Sequence, residues 1–271
     1  MSARQRGHHD VQQHRSSLKG VEAYTLETAA TFPRHSHDQF GIGVMLAGAH
    51  RSWSCVGHVE AGPGDVIMVN PGEVHDGAAL GGGLRRWRML YFDAGLVDEV
   101  LFTDLGALPD VVHPAARDGR LAAQLHALFA AVIDVRAQPL QRDERLLALF
   151  VQIARRHIAR PLRKPPTHAS VAKARQLLDD TIERSATLAD LAALAGVSRF
   201  QLLRSFVRET GLTPHAYVLQ RRLNAAKRLL AGGNGPAAVA HTLGFADQSH
   251  LTRAFKRQFG VTPGQYRAAL R

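Results

Sequence analysis

"GFADQSHLTRAFKRQFGVTPGQY" runs from Gly244 to Tyr266. A glycine opens it, a Thr-Pro pair closes its basic stretch, and a Phe recurs on one side. A diverged copy, "GVSRFQLLRSFVRETGLTPHAY", occupies Gly196 to Tyr217. Before the turn the two copies align at a shift of 48: Leu191 falls on Val239, Ala192 on Ala240 and Gly196 on Gly244. After the turn the shift is 49. Leu202 then falls on Leu251, Arg204 on Arg253, Phe206 on Phe255, Gly211 on Gly260, Pro214 on Pro263 and Tyr217 on Tyr266. One supersecondary unit is therefore present twice, with a single insertion in a loop.

Each copy reads as helix, tight turn, helix. Ser185 or Thr187 can cap a helix over 188–195, Gly196 permits the sharp turn, and Ser198 caps a second helix over 199–210. Leu191, Leu194, Val197, Leu202, Leu203 and Phe206 are the expected core of the pair. A helix over 172–180 precedes them, with Ala172, Leu177 and Leu178 apolar. Between the copies, "PHAYVLQRRLNAAKRLLAG" predicts a helix of about 17 residues and roughly 25 Å. Such a strut separates two helices by nearly one turn of B-DNA, so one chain would read two adjacent major grooves on one side of a duplex.

Charge supports a polyanion. The whole chain carries +11. From Ser170 onward there are 15 Lys and Arg against 6 Asp and Glu, a net of +9, whereas residues 1–169 carry 19 against 17. A basic segment beside a near-neutral one favours a polyanion as partner of the basic one, with a membrane surface as the rival; double-stranded DNA is the expected polyanion once the repeat is taken with it. No apolar run of eighteen residues occurs, so no membrane partner is expected. The first twenty residues lack the apolar stretch of a secretory signal, and the single Cys55 excludes an internal disulfide framework; a cytoplasmic setting is expected.

Residues near the start of each second helix should meet base edges: Arg199, Gln201, Leu202, Arg204 and Ser205 in the first copy, and Gln248, Ser249, His250 and Arg253 in the second. Arg pairs bidentately with guanine, Gln with adenine, and His or Ser with either edge. Lys256, Arg257, Arg208, Arg221 and Arg222 suit phosphates, which position rather than specify.

The segment from about Val171 to Arg267 resembles the DNA-binding domain of the AraC/XylS family of transcriptional regulators. "LAALAGVSRFQLLRSFVRETGLTPHAY", "RLNAAKRLL" and "GFADQSHLTRAFKRQFGVTPGQYR" each resemble the family pattern, in the family order, over about 100 of 271 residues. The resemblance implies two helix-turn-helix units joined by a long helix. The chain departs from the pattern at "AGGNGPAAVAHTLGF", where Gly-Asn-Gly-Pro stands in place of a polar turn.

Residues 1–20 read as a disordered tail. From Tyr24 to Phe92, "FGIGVMLAGAHRSWSC", "GPGDVIMVNPGEVH" and "GLRRWRMLYFD" are short apolar runs separated by turn signals, which suit a small sandwich or barrel. Two helices follow. One lies within 117–136 and aligns Leu121, Leu125, Leu128, Phe129 and Val132; the other lies within 142–159 and aligns Leu146, Leu149, Phe150 and Ile153. "RPLRKPPTHAS" then reads as a linker. The expected fold class is α+β: a β-barrel with a helix pair over 21–160, a linker over 161–169, and an all-α domain over 170–271. "FPRHSHDQFGIGVMLAGAHR" and "GPGDVIMVNPGEVHDG" resemble, more loosely, the two halves of a cupin-like sensor that family members place ahead of the DNA-binding part.

His35, His37 and His75 stand out there. Histidines two apart on a strand share a face, and a third can complete a three-imidazole metal site. The chain lacks the Glu that follows paired histidines in catalytic cupins; Asp38, Gln39, Phe40 and Gly41 follow instead. Three readings stay open: a metal site, polar contacts to an unknown small-molecule effector, or a structural cluster. Arg34, Trp53, Asn70, Glu73 and Arg88 are further candidates to line an effector pocket. A cupin-type enzyme or metal-responsive regulator built on the three histidines is the alternative to an effector-responsive activator that uses no cofactor. The resemblance also implies a homodimer through the helices after the barrel, and RNA polymerase as partner of an activator.

Overall fold

The structure, a computed structural model, describes residues 9–54, 57–101, 113–158, 169–183 and 186–270. Cys55, Ser185, residues 1–8 of the expected tail and 161–168 of the expected linker lie outside them. The chain forms two compact units, drawn from Met1–Leu162 and Arg163–Ala268.

Among the described residues the first unit has ten strands: β1 (His9–His14), β2 (Val21–Thr28), β3 (Phe32–His35), β4 (Phe40–Ala47), β5 (His50–Ser54), β6 (Gly57–Ala61), β7 (Val66–Val69), β8 (His75–Ala79), β9 (Arg85–Phe92) and β10 (Ala115–Ala116). They make a six-stranded sheet ordered β1-β2-β9-β4-β7-β10 and a four-stranded sheet ordered β3-β8-β5-β6. Strand β9 is central, with ladders to β2 from Val21↔Phe92 to Thr28↔Arg85 and to β4 from Phe40↔Phe92. Successive side chains leave it on opposite faces. Leu90 and Phe92 join Ala23, Phe40, Ile42, Val44, Val66 and Met68 on one face. Trp87 and Met89 join Tyr24, Met45 and Ile67 on the other, where Phe32 of the smaller sheet also packs. The larger sheet is thus apolar on both sides.

The first face is covered by three helices, α1 (Ala94–Leu101), α2 (Gly119–Ile133) and α3 (Pro139–Arg156). Every residue expected on the buried sides of α2 and α3 is buried there. The second face meets the four-stranded sheet. Packing between neighbouring strands of the larger sheet is tight at β4: a β-carbon on Gly43 would lie 2.6 Å from the Arg88 carbonyl and against Met89. Glycine is required at that position by close approach.

Residues 9–20 correct the expectation of a disordered tail. His9–His14 is an edge strand paired in full register with β2. Ser17 then donates to the Val132 carbonyl, and Arg142 donates to the Ser17 carbonyl at 2.9 Å. A polar edge strand is held by backbone ladders and shows no apolar alternation in its sequence.

The second unit is helical: α4 (Ala169–Asp180), α5 (Leu188–Ala195), α6 (Arg199–Thr210), α7 (Pro214–Ala231), α8 (Pro236–Thr242), α9 (Gln248–Phe259) and α10 (Pro263–Ala269). Thr187 caps α5 in a reciprocal box with Asp190. Val171, Ala174, Leu178, Leu191, Leu202 and Phe206 form its core, with Leu177 and Val197 packed against it. One expected core position is corrected: Leu194 is 47 % exposed. Ala172 faces solvent, because α4 turns Val171, Ala174 and Leu178 inward.

Asp118 locks the end of the helix pair. It caps α2 by accepting from the Arg120 and Leu121 amides, and its second oxygen faces Gln152 and His157 at 3.1 Å each. Arg145 of α3 donates to the Ala127 carbonyl of α2, so the two helices run antiparallel. Burial opposes ionisation of Asp118, but the Leu121 amide, His157 and Gln152 outweigh it and hold the carboxyl at about 2. A depressed carboxyl contributes stability that is complete above its unfolded value of 3.8 and disappears as pH falls towards 2. Asp118→Ala should cost about 0.5–2 kcal/mol for the lost cap, and about 1–3 kcal/mol more for the stranded partners. Urea denaturation at pH 7 measures this. The deficit relative to the parent should shrink below pH 4, the ordinary range of a carboxyl; a deficit constant down to pH 2 contradicts the ionic part.

Candidate nucleic-acid interface and histidine cluster

The duplicated sequence is duplicated in three dimensions. Ser198 caps α6 through the Gln201 amide, and Asp247 caps α9 through the His250 amide. Each helix ends on a left-handed glycine, Gly211 at φ 74° and Gly260 at φ 78°. A Thr-Pro pair follows in both: Thr213 accepts from the Ala216 amide and Thr262 from the Gln265 amide, each at 3.2 Å. Tyr217 then packs edge-on against Phe206 at 5.5 Å, and Tyr266 against Phe255 at 5.6 Å. Gly244, the second turn, has φ 70°, and a β-carbon there would collide with the Glu183 carbonyl.

Capping and core packing decide which side of α6 and α9 is left for a partner. Arg199, Gln201, Arg204 and Arg208 are exposed on α6, with Ser205 partly so. Gln248, Ser249, Arg253, Lys256 and Arg257 are exposed on α9, and His250 is half-buried with its ring 5.3 Å from Phe245. Arg204 and Arg253 occupy equivalent positions, as do Arg208 and Arg257. Helix α7 has 18 residues and so spans about 27 Å.

Three expected contacts are corrected. Leu202 is fully buried, like its counterpart Leu251, and belongs to the core. Arg221 is engaged with Asp179 at 3.0 Å, beside the Tyr217 hydroxyl that donates to the same carboxylate. Arg222 donates to the Ile182 and Gly244 carbonyls. Both arginines tie α7 to its neighbours, and Arg222 holds the turn of the second unit.

In the sheet unit, β3 and β8 bring His35 and His75 opposite one another, with a register shift in β3. His37 follows, and Gly72 donates to its carbonyl. The rings of His35 and His75 lie 4.4 Å apart, His35 and His37 4.9 Å, and His37 and His75 5.3 Å. One ring nitrogen from each lies within 4.8 Å of the others. The Nδ1 of His35 faces the Pro33 carbonyl at 2.6 Å and that of His75 faces the Glu73 carbonyl at 3.1 Å. A carbonyl accepts only from N–H, so both Nδ1 atoms carry the proton and both Nε2 atoms present a lone pair. Burial, with His75 adding, holds His35 down at about 3. Burial also holds His75 at about 4, against its bond to Glu73, with His50 adding. Three imidazoles gathered in this way, with His35 and His75 held neutral, suit a zinc-like ion, which takes nitrogen ligands and can keep a fourth position open.

Asn70 and Glu73 serve the loop that presents His75: the Asn70 amide and side chain both donate to Glu73. The other expected pocket residues are not brought to the cluster. Inward positions of β5 are His50, Ser52 and Ser54; Trp53 alternates outward, where the exposed Arg34 guanidinium stacks on it at 3.8 Å. Arg88 shares the face of Leu90 and lies over Phe129 of α2 at 4.9 Å. It lies on the helix side of the sheet. Two inward groups escaped sequence reasoning, His50 and Arg85; for Arg85 the reason is that "RRWRMLYF" offers an arginine to either face.

Residues 191–269 match the family described as a helix-turn-helix domain, and residues 19–150 match the AraC-like ligand binding domain. The chain is 31% identical over 237 residues to an uncharacterized HTH-type transcriptional regulator, YbfI of Bacillus subtilis, covering 85% of this chain and 86% of that protein. It is 30% identical over 241 residues to a putative AraC-like transcription regulator of Streptomyces antibioticus, covering 80% and 75%. The crystal structure of ToxT from Vibrio cholerae shares the fold, with a TM-score of 0.55 at 13% identity over 93% of this chain and 99% of that one.

Proposed function

The chain belongs to the AraC family of transcriptional regulators, and from that premise we propose that it is an effector-responsive activator reading two adjacent major grooves. Its relatives are regulatory proteins, and the chain is a DNA-binding regulator of this type rather than an enzyme. Among the described residues no helix is long and apolar enough to cross a membrane. The observation that carries the two-groove reading is the paired unit: α6 and α9 are capped alike, joined through α7, and expose Arg204 and Arg253 at matching positions. In this reading Arg199, Gln201, Arg204, Ser205, Gln248, Ser249, His250 and Arg253 face base edges, while Arg208, Lys256 and Arg257 contact phosphates.

The test is binding to a selected operator by fluorescence anisotropy. Arg204→Ala and Arg253→Ala should each lose about 1–3 kcal/mol on the operator, with little change on random DNA. Affinity should fall linearly in log–log form with salt. Arg222→Ala should instead lower the melting temperature, since its role is inside the fold. Equal losses on operator and random DNA refute base reading. Added RNA polymerase should give more transcript from that operator; less transcript refutes activation.

The sheet unit is the sensor in this reading, a cupin-like body whose interior holds His35, His37 and His75. The short distances among these rings support a second form of it, a metal-responsive regulator. The metal-free protein titrated with Co2+ should then show the visible bands of a tetrahedral site, and His37→Ala and His75→Ala should each abolish them. Absence of those bands in the parent protein eliminates the metal reading.

Helix α3 supports the homodimer. Leu140, Leu147 and Val151 form an exposed apolar line on the side away from its buried face, and isolated apolar lines of this length are found at helix–helix contacts. Sedimentation should show a dimer that Leu147→Glu converts to monomer. A parent protein that is monomeric at all concentrations refutes it.

A further inference from the structure

Strand β9 enters the sheet unit with an arginine on its inner face. Arg85 is 0 % exposed, the bulkiest of the fully buried side chains. Its guanidinium lies over the rings of Trp87 at 5.1 Å and Phe32 at 5.8 Å. One terminal nitrogen, Nη2, donates to the Ala30 carbonyl at 3.0 Å and the Gly77 carbonyl at 3.2 Å. Nε and Nη1 are buried and have no acceptor among the described residues. No carboxylate of the described residues pairs with it.

A lone buried cation is costly. Its desolvation is unfavourable even after relaxation, and each stranded buried donor adds to the cost. Aromatic faces offset part of it. Cores normally place an acid opposite such a group. The inner face of this sheet unit supplies imidazoles instead. His50 is buried with its Nδ1 unpartnered, and its ring packs 5.8 Å from Trp87. Burial and the charge of Arg85 hold His50 at about 4, so it stays neutral at pH 7. Burial alone lowers Arg85 only to about 10, so the guanidinium remains charged. Gly77 admits the His50 ring at close range, since a β-carbon there would lie 2.8 Å from it. A full positive charge, two open guanidinium nitrogens, a neutral imidazole and two aromatic rings are thus gathered on the inner face.

We propose that Arg85 is an anion subsite of the sensor, and that the effector it takes is a small organic acid whose carboxylate meets Nε and Nη1 of Arg85 while its apolar body lies against Trp87 and Phe32. This rests on the reading of the sheet unit as a sensor and adds the chemical class of its ligand. A carboxylate complements guanidinium charge and geometry better than a neutral oxygen does, and a desolvated site rewards that charge because no water competes. A sugar or an alcohol would leave the charge unbalanced.

The experiment uses the full chain labelled with 15N in arginine. Formate, acetate, hexanoate, benzoate and phenylacetate are each titrated beside the matching carboxamide, with inorganic phosphate as a further arm. Arg85→Lys assigns the buried Nε–H signal. At least one carboxylate should move that signal and raise the melting temperature, while its amide does neither, and Arg85→Lys should weaken binding about tenfold or more. If Arg85→Lys does not fold, the parent signal alone decides, since it responds to carboxylate or it does not. An unmoved signal with every acid overturns the proposal. So does an equal response to phosphate or to the amides. A melting temperature raised by Co2+ or a neutral sugar, with the acids silent, overturns the Arg85 subsite and leaves the sensor reading standing.

Discussion

A sheet that is apolar on both faces must be covered on both, and strand β9 imposes that condition on the sheet unit. Leu90 and Phe92 face one way, Trp87 and Met89 the other. Each fully buried side chain of this size contributes about 1.5–3 kcal/mol, so neither face is left in water. Helices α1 to α3 answer the first face and the four-stranded sheet answers the second. The consequence for function is dielectric. Arg85 on that second face and His35, His50 and His75 of the smaller sheet lose water together. Their depressed protonation follows from that placement, as does the readiness of the imidazoles to act as neutral ligands.

The helical unit meets a different constraint. A helix-turn-helix pair of about twenty-five residues has too little core to stand alone. Here each copy is completed by an element outside it. Thr213 and Thr262 start the next helix, and Tyr217 and Tyr266 return onto Phe206 and Phe255. Helix α7 therefore closes the first unit and joins it to the second. Arg221 and Arg222 belong to this joinery. They are adjacent in a basic helix, yet both are turned to protein acceptors, while Arg204 and Arg208 of α6 and Arg253, Lys256 and Arg257 of α9 stay exposed.

Much of this was legible in the residues. The double unit was visible because its capping and turn residues, Ser198, Thr213, Gly211 and Gly260, recur at fixed offsets and have local physical reasons. The helix pair was visible because Leu121, Leu125, Leu128, Phe129 and Leu146, Leu149, Phe150, Ile153 keep a 3.6-residue period. Strand β1 was missed because "HDVQQH" is held by a backbone ladder and by polar contacts of His9 and His14 to Thr28 and Thr25, which leave no apolar alternation to read. Leu194 was misplaced because the helical stripe is wider than the face its neighbours cover.

The histidines mark the boundary between the two kinds of knowledge. Spacing alone announced His35 and His37 as a pair, and a Pro-Gly turn announced His75. Only the pairing of β3 with β8 put the three rings within reach of each other. Strand parity was equally hidden. "RRWRMLYF" carries an arginine for each face, and nothing local decides whether Arg85 or Arg88 turns towards the second sheet. The sequence by itself determined the repeat, the helices and the charge, because these depend on neighbours three or four residues away. The tertiary structure decided which polar side chains are buried together, because burial depends on strands brought together from distant parts of the chain.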